Sequence, residues 1–559
     1  MSQRYLDYVR GQIIGSDLLL ETPFGPRHMV YADYTASGRG LHFIEEKLIR
    51  IQRSYANTHT EDDFSGKRMT RLYHQALTRI KEMVNAGEHG RVFPVGAGST
   101  GALKKLQEII GVYIPPLTRE RLDRCCSEAG RGGRDVRGRI ETSRPVVFIG
   151  PYEHHTNELM WREALAETVV IRLSREGGLD LDDLERKISE SRFKSRLKFG
   201  SFSAGSNITG VRTPVYEVAR ICHRHDTAVF FDFAAVAPYV PIDMNKDRDA
   251  FFDAVFFSPH KFLGGPGSSG VLVINDRLYR RDLPPTTAGG GTVVYVGFDG
   301  HDYDEDIETR EMAGTPPILQ TIKAALAMEI KERIGPDAIE KMERENLAVF
   351  LERLQEIPNL RFIGRYDVPD LTPIVSFNIT HRDRILHPKF VTKLLNDLFG
   401  IQSRAGCSCA GPYGHALLNI GEETSRRLRD AVARGFQGIK PGWVRINLHY
   451  TFSRSDIDFL ARAIAFTARH GHLFLRLYNF DLTTGEWRYR GFTEAGPDLS
   501  LDADFRTASV HPGRLRSLRA SYFREARRLA LELERAGEMP FQQDDANLES
   551  LKYFYYAHG

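Results

Sequence analysis

From Tyr31 to Ile330 one pattern recurs: a short apolar run, a turn containing glycine or a polar residue, then an amphipathic stretch. Runs at 146–150, 168–173, 197–203, 228–233, 254–258 and 270–274 read as strands, and stretches such as 101–111 and 215–225 read as the helices between them. Strands that alternate with helices are joined by crossovers, so the sheet they form is largely parallel and covered on both faces. In such a sheet the polar residues at the strand ends collect along one edge, where open α/β folds bind their ligands. The alternation therefore predicts both an α/β architecture and the place to look for chemistry.

The remainder divides by pattern. A helix at 321–334 leads to a mixed region with helices at 336–357, 388–398 and 453–470 and strands at 374–380 and 442–448, which reads as a smaller α+β domain. The expected organisation is a large domain over 31–330, a small domain from 1–30 and 331–470, and a C-terminal extension over 471–559. The extension holds an aromatic strand pair (473–481, 486–491) and a basic helix at 512–536. That helix sets Leu515, Leu518, Phe523, Ala526, Leu529 and Leu533 on one face, for packing on the body or a partner, with a membrane surface as the alternative.

Charge narrows the partners. Lysine and arginine number 76 against 73 acids, a net +3 that calls for neither nucleic acid nor an anionic membrane. Segment 117–144 holds eight arginines against five acids and carries that whole excess. Rich in glycine and arginine, it reads as a solvated loop inserted into the α/β rhythm. Five cysteines are too few and too odd in number for a disulfide scaffold, and no stretch reads as a signal or a membrane span, so the expected setting is the cytoplasm.

Three stretches carry the candidate chemistry. In the first, the strand at 254–258 runs into Ser258-Pro-His260-Lys261 and a glycine-rich turn. A lysine at the end of a buried strand either snorkels to solvent or becomes, once desolvated, an amine able to form a Schiff base. The strand at 228–233 ends in Asp232, which could share a crevice with Lys261 as a ligand pair or as an ordinary ion pair. A carboxylate opposite a lysine imine is what pyridoxal phosphate requires, because it keeps the pyridine nitrogen protonated. In the second stretch, residues 91–106 supply a strand, a turn with Gly98, Ser99 and Thr100, and a helix whose N-terminus favours a phosphate. Gly96, Gly98 and Gly101 also match a dinucleotide spacing, but the acidic residue that reading needs would fall in Pro115–Glu120, which is no strand. In the third, Arg404-Ala-Gly406-Cys407-Ser-Cys409-Ala-Gly-Pro412 puts two thiols in a glycine-rich loop. It offers a nucleophile, a pair of packed thiols or, with only His415 near, a poor metal site.

Taken in order, Gly98-Ser99-Thr100, Glu153-His154-His155, Ser206-Asn207-Ile-Thr-Gly210, Asp232, Ser258-Pro-His260-Lys261 and Arg404-x-Gly406-x-x-Cys409-Ala-x-Pro412 resemble the class V aminotransferase family, in particular its cysteine desulfurase branch. The likeness implies a fold-type I pyridoxal-phosphate transferase with a seven-stranded, mostly parallel sheet. It implies that Lys261 carries the cofactor as an aldimine, Asp232 pairs with the pyridinium, His154 stacks on the ring and Asn207 bonds the ring oxygen. It further implies that Gly98, Ser99, Thr100, Ser258 and His260 hold the phosphate, and that Thr292 of Gly289-Gly-Gly-Thr292 reaches the phosphate of a neighbouring subunit in a homodimer. Arg445 would clamp the α-carboxylate of an amino acid such as L-cysteine, and Cys409 would form a persulfide for a sulfur-acceptor protein. Two other readings stay open: a carbon–sulfur lyase or aminotransferase that uses Lys261 without Cys409, and a sulfur-carrier or scaffold protein on the same fold. The chain departs from the branch after Asp232, where Phe233-Ala234-Ala235 replaces the usual Gly-Ala-Gln and removes an amide from the ring oxygen. Segments 117–144 and 471–559 also lie outside the branch's pattern.

Overall fold

Seven strands of the first part of the chain form one sheet: β1 (Gly90–Val95), β2 (Val146–Ile149), β3 (Glu167–Val170), β4 (Lys198–Ser203), β5 (Thr227–Asp232), β6 (Ala254–Phe257) and β7 (Gly270–Asn275). The computed structural model describes residues 3–557 apart from 59, 408, 495, 497, 504–506 and 538. The strand order is β1-β7-β6-β5-β4-β2-β3. The β3/β2, β2/β4, β4/β5 and β5/β6 pairs are parallel, and β7 runs antiparallel between β6 and β1. β2 and β6 are wholly apolar and buried, and β5 is apolar from Ala228 to Phe231, as strands inside a largely parallel sheet tend to be. On one face Phe93, Val147, Phe199, Phe230, Phe256 and Leu272 form a core with Leu103 and Leu106 of helix Gly98–Ile109 and with Trp161. Register brings Ser203 opposite Asp232, and Asp232 opposite Phe256, so the ends of β4, β5 and β6 are level.

This sheet belongs to a unit built mainly from Ser37–Asn207 and Val211–Glu340. Within it, segment 117–144 corrects the expectation of a loop: it forms two helices, Pro116–Glu128 and Gly130–Ser143, packed on each other. Arginine and glutamate are good helix formers, and pairs four apart such as Glu120–Arg124 and Arg137–Glu141 support them, which outweighs the scattered glycines. Gly133 earns its place at the crossing, where a Cβ would strike the Cys126 carbonyl. The pair is solvated as expected, with Leu117, Leu122, Val136 and Ile140 exposed.

The second unit comprises Leu6–Ala36, Ile208–Gly210 and the chain from Lys341 onward. Its antiparallel sheet has the order Leu360–Phe362, Ile374–His381, Trp443–Asn447, Arg404–Gly406. Helices Pro388–Phe399 and Arg454–Phe474 pack on it around Phe377, Phe390, Leu394, Ile446, Leu460 and Ile464. The chain after 471 contributes to the same core: Tyr478, Trp487, Tyr522, Phe523, Phe554 and Tyr556 are buried there. The aromatic hairpin is shorter than expected, Tyr478–Asp481 against Glu486–Tyr489, because helix Arg454–Phe474 and a 3-10 turn consume residues up to Leu477. Among the described residues no helix is long and apolar enough to cross a membrane.

Candidate active site

The ends of β1, β2, β4, β5 and β6 supply the polar residues of the first unit. After β1 the chain turns through Gly98, whose φ of +74° is left-handed and favours glycine, and starts helix Gly98–Ile109. The backbone N–H of Ser99 donates to Ser258 Oγ at 2.8 Å, and the Ser258 hydroxyl reaches Ser99 Oγ at 3.4 Å. A Cβ at Gly98 would stand 3.0 Å from Ser258 Oγ and 3.6 Å from His260 Nε2, so the missing side chain leaves a hollow ringed by donors. Thr100 Oγ1 lies beside it, 2.8 Å from Thr156 Oγ1. Backbone amides at a helix N-terminus, three hydroxyls and an imidazole are the donor set of a phosphate cradle. His260 is pushed down to about 4 by burial and by the adjacent Lys261 charge, so it serves as a neutral donor or acceptor.

Asp232 closes β5 and is buried. Burial pushes its carboxyl up to about 6, against the pull of the Ala234 amide and the Lys261 charge. One oxygen accepts from Ala234 N at 2.9 Å, and the other has no partner among the described residues. Lys261 ends the 3-10 turn Pro259–Lys261 that follows β6, the strand next to Asp232. After β2, His154 caps helix His155–Arg162: its Nδ1 accepts from Thr156 N at 3.2 Å, which places the proton of the neutral ring on Nε2. Asn207, just past β4, is buried.

Two side chains of this unit have roles that sequence reasoning does not assign. Glu153 is wholly buried and ties β2 to β4: Gly150 N, Ser203 N, Ser203 Oγ and Asn157 Nδ2 donate to its two oxygens at 2.6–3.0 Å. Burial, opposed by those donors, pushes its carboxyl up to about 7. The second is Lys105, on the far end of the phosphate-loop helix, whose Nζ donates to Glu311 Oε2 at 2.7 Å, Glu311 O at 3.0 Å and Thr286 Oγ1 at 2.6 Å. Between Thr286 and Glu311 lies Thr292, buried within its own chain, where its hydroxyl donates to Gly289 O at 2.7 Å. It opens a hairpin, Val293–Val296 with His301–Tyr303, that exposes Val294, Tyr295, Val296 and Phe298.

The second unit holds the other two candidates. Arg445, on strand Trp443–Asn447, is buried and its NH2 meets Asp33 Oδ1 at 3.0 Å. The cysteine loop follows strand Arg404–Gly406; Cys407 and Cys409 are exposed, and Ser408 between them lies outside the described residues. Cys409 takes a left-handed φ of +59°, unusual for a residue with a Cβ and costing of order 1 kcal/mol. It presents a thiol just before helix Gly411–Leu417. All five cysteines are free.

Comparison with known proteins places these residues in context. The family described as Aminotransferase class-V matches residues 138–460. A probable cysteine desulfurase of Halalkalibacterium halodurans is 30% identical over 80% of this chain and 95% of its own length, and one of Streptomyces coelicolor is 28% identical over 69% and 84%. Among solved structures, the apo cysteine desulfurase of Thermococcus onnurineus NA1 superposes with a TM-score of 0.63 at 22% identity, covering 83% of this chain and 98% of that one. The S-sulfonic acid form of cysteine desulfurase CsdA from Escherichia coli gives 0.60 at 20% identity, covering 82% and 97%. At these identities the structural likeness speaks to the fold alone.

Proposed function

This chain belongs to the class V aminotransferase family of pyridoxal-phosphate enzymes, and from that premise we propose that it is a cysteine desulfurase whose cofactor is held by Lys261 and whose sulfur is taken up by Cys409. The protein is a pyridoxal-phosphate-dependent enzyme of the cysteine desulfurase-like kind. The observation that carries the detailed reading is Asp232: a buried carboxylate at a strand end, one oxygen anchored by Ala234 and the other free to accept from a ring nitrogen, beside a lysine. The phosphate cradle at Gly98, Ser99, Thr100, Ser258 and His260 fits the same group at its other end.

Bound there, pyridoxal phosphate supplies an electron sink for charge developing on the substrate α-carbon. Gly98–Thr100, Ser258 and His260 would hold the phosphate, His154 would cover the ring, and Asn207 would donate to the ring oxygen. Lys261 would be the point of attachment for the cofactor, and its amine would move a proton at the substrate α-carbon. Arg445 holds the α-carboxylate. The Cys409 thiolate attacks the substrate sulfur: an S–S bond forms and the Cβ–S bond breaks. Its electron pair stays with the substrate carbon, which takes up a proton to give alanine. An exposed Cys409 suits passing the sulfur to an acceptor protein, and five free thiols suit a reducing compartment such as the cytoplasm. The exposed apolar hairpin beside Thr292 suits burial against a second copy in a homodimer.

The test is a pair of variants scored with L-cysteine. Lys261→Ala should lose the yellow colour of the bound cofactor. Cys409→Ser should keep it and form no protein persulfide. Sulfide release at the wild-type rate from Cys409→Ser would refute the nucleophile and leave a lyase.

A further inference from the structure

Strands Arg404–Gly406 and Trp443–Asn447 are antiparallel neighbours, and their register sets Arg404 directly opposite Arg445. Like charges in that position repel, and a guanidinium as buried as Arg445 is costly without a counter-ion. Asp33 answers both. Its Oδ1 accepts from Arg445 NH2 at 3.0 Å and its Oδ2 from Arg404 Nε at 2.9 Å, one carboxylate oxygen to each arginine.

The main chain delivers Asp33 to that point. Val30–Tyr31 pairs in parallel with Ile401–Gln402, the residues leading into the Arg404 strand. The N–H of Ala32 donates to Gln402 O at 2.9 Å, and its carbonyl accepts from Asn447 N at 2.8 Å, so the residue before Asp33 is fastened to the Arg445 strand and to the residues that lead into the Arg404 strand. Behind it Tyr34 stacks on His449 with ring centroids 3.9 Å apart. The carboxylate is therefore held by backbone geometry rather than by a flexible stem.

We propose that Asp33 is a positioning residue: it fixes the guanidinium of Arg445 for the substrate carboxylate and, through Arg404, ties that clamp to the strand leading into the Cys409 loop. This rests on Arg445 being the carboxylate clamp. One oxygen of Asp33 occupies one edge of Arg445, which turns the remaining donors toward a second carboxylate in a fixed orientation. Without Asp33 the guanidinium keeps its charge and loses its direction.

The test uses the full chain loaded with pyridoxal phosphate and compares L-cysteine with cysteamine, which lacks the carboxylate, each dissociation constant being read from the cofactor's absorption. Asp33→Asn should reduce the preference for L-cysteine by about tenfold or more while leaving cysteamine unchanged, since a charge-assisted hydrogen bond on a buried arginine is lost. Combined with Arg445→Lys it should add little to that variant's own loss. If Asp33→Asn does not fold, Asp33→Glu keeps the charge, shifts the carboxylate by a methylene and should reduce the same preference. An unchanged preference, or equal weakening of both ligands as a merely structural role would give, overturns the proposal. If Arg445→Lys itself leaves the preference intact, it is the clamp reading that fails.

Discussion

Replacing Lys105 by methionine isolates the buried ion pair that fastens the Thr292 segment to the phosphate-loop helix. Methionine fills nearly the same volume and removes the ammonium from Glu311, whose side chain is 0% exposed. Glu311 keeps Tyr279 OH at 2.8 Å and Thr286 N at 3.0 Å, neither of which brings a positive charge. Breaking one side of a buried pair costs about 3–5 kcal/mol. That is about two to four powers of ten in the opening equilibrium of the segment, at about 1.4 kcal/mol per power. Because so long a chain need not unfold in one step, the assay is amide hydrogen exchange over residues 286–311 rather than a global midpoint. The pH dependence supplies a second readout. In the wild type, burial pushes the Glu311 carboxyl up, but Lys105, Thr286 and Tyr279 outweigh it and hold it below the usual range. The pair's contribution is thus present at neutral pH and lost as pH falls through that lowered value. In Lys105→Met only burial and neutral donors act on Glu311, so the sign reverses and the defect should shrink as the solution is acidified. Adding Glu311→Gln should recover more than half of the loss. Exchange that accelerates by less than tenfold, or a defect that grows in acid, would refute the reasoning.

Asp232 offers a pH test of the opposite sign. With its carboxyl raised to about 6, the cofactor-free protein gains stability that is fully present below the ordinary value near 3.8 and is lost as pH rises through about 6. Asp232→Asn should flatten that slope in thermal melts of the apoprotein, and should abolish the strengthening of cofactor binding that ionisation of the carboxylate brings over the same range. Truncation after Val510 should unfold the second unit, because Tyr522, Phe523, Phe554 and Tyr556 leave its core. At about 1.5–3 kcal/mol per buried large side chain that loss approaches the whole stability of a typical domain. Dye binding to exposed apolar surface reads the outcome, and a truncated protein that melts like the full chain would contradict it.

The sheet and its chemical edge were legible because the apolar runs ending at Asp232 and Ser258 alternate with helical stretches, and neighbouring strands with a level register bring Ser203, Asp232 and Ser258 to one side. Segment 117–144 misled because glycine is weighed as a breaker, whereas at Gly133 it permits a helix crossing. Asp33 left no local signal: it sits in Val30-Tyr31-Ala32-Asp33-Tyr34 with no periodic context, and its partners lie 371 and 412 residues away. Lys105 and Glu311 were likewise invisible, since a pair 206 residues apart leaves no spacing to read. Thr292 was picked out by resemblance alone; within one chain its hydroxyl is already engaged by Gly289.

The second unit draws its material from both sides of the first, and this sets an order of events during synthesis. Val30 must wait for Ile401, its strand partner, to be made. At about 5–20 residues per second that gap of roughly 370 residues lasts about 20–70 seconds. The α/β unit can complete its sheet within that interval, while residues 6–36 remain without the strands and helices they will pack against. Those residues include the tyrosines and apolar side chains of 30–34, so the nascent chain carries an unsatisfied segment for most of its translation. A chaperone that holds extended apolar segments would find its natural substrate there, and slowing translation beyond Glu340 should lengthen that exposure.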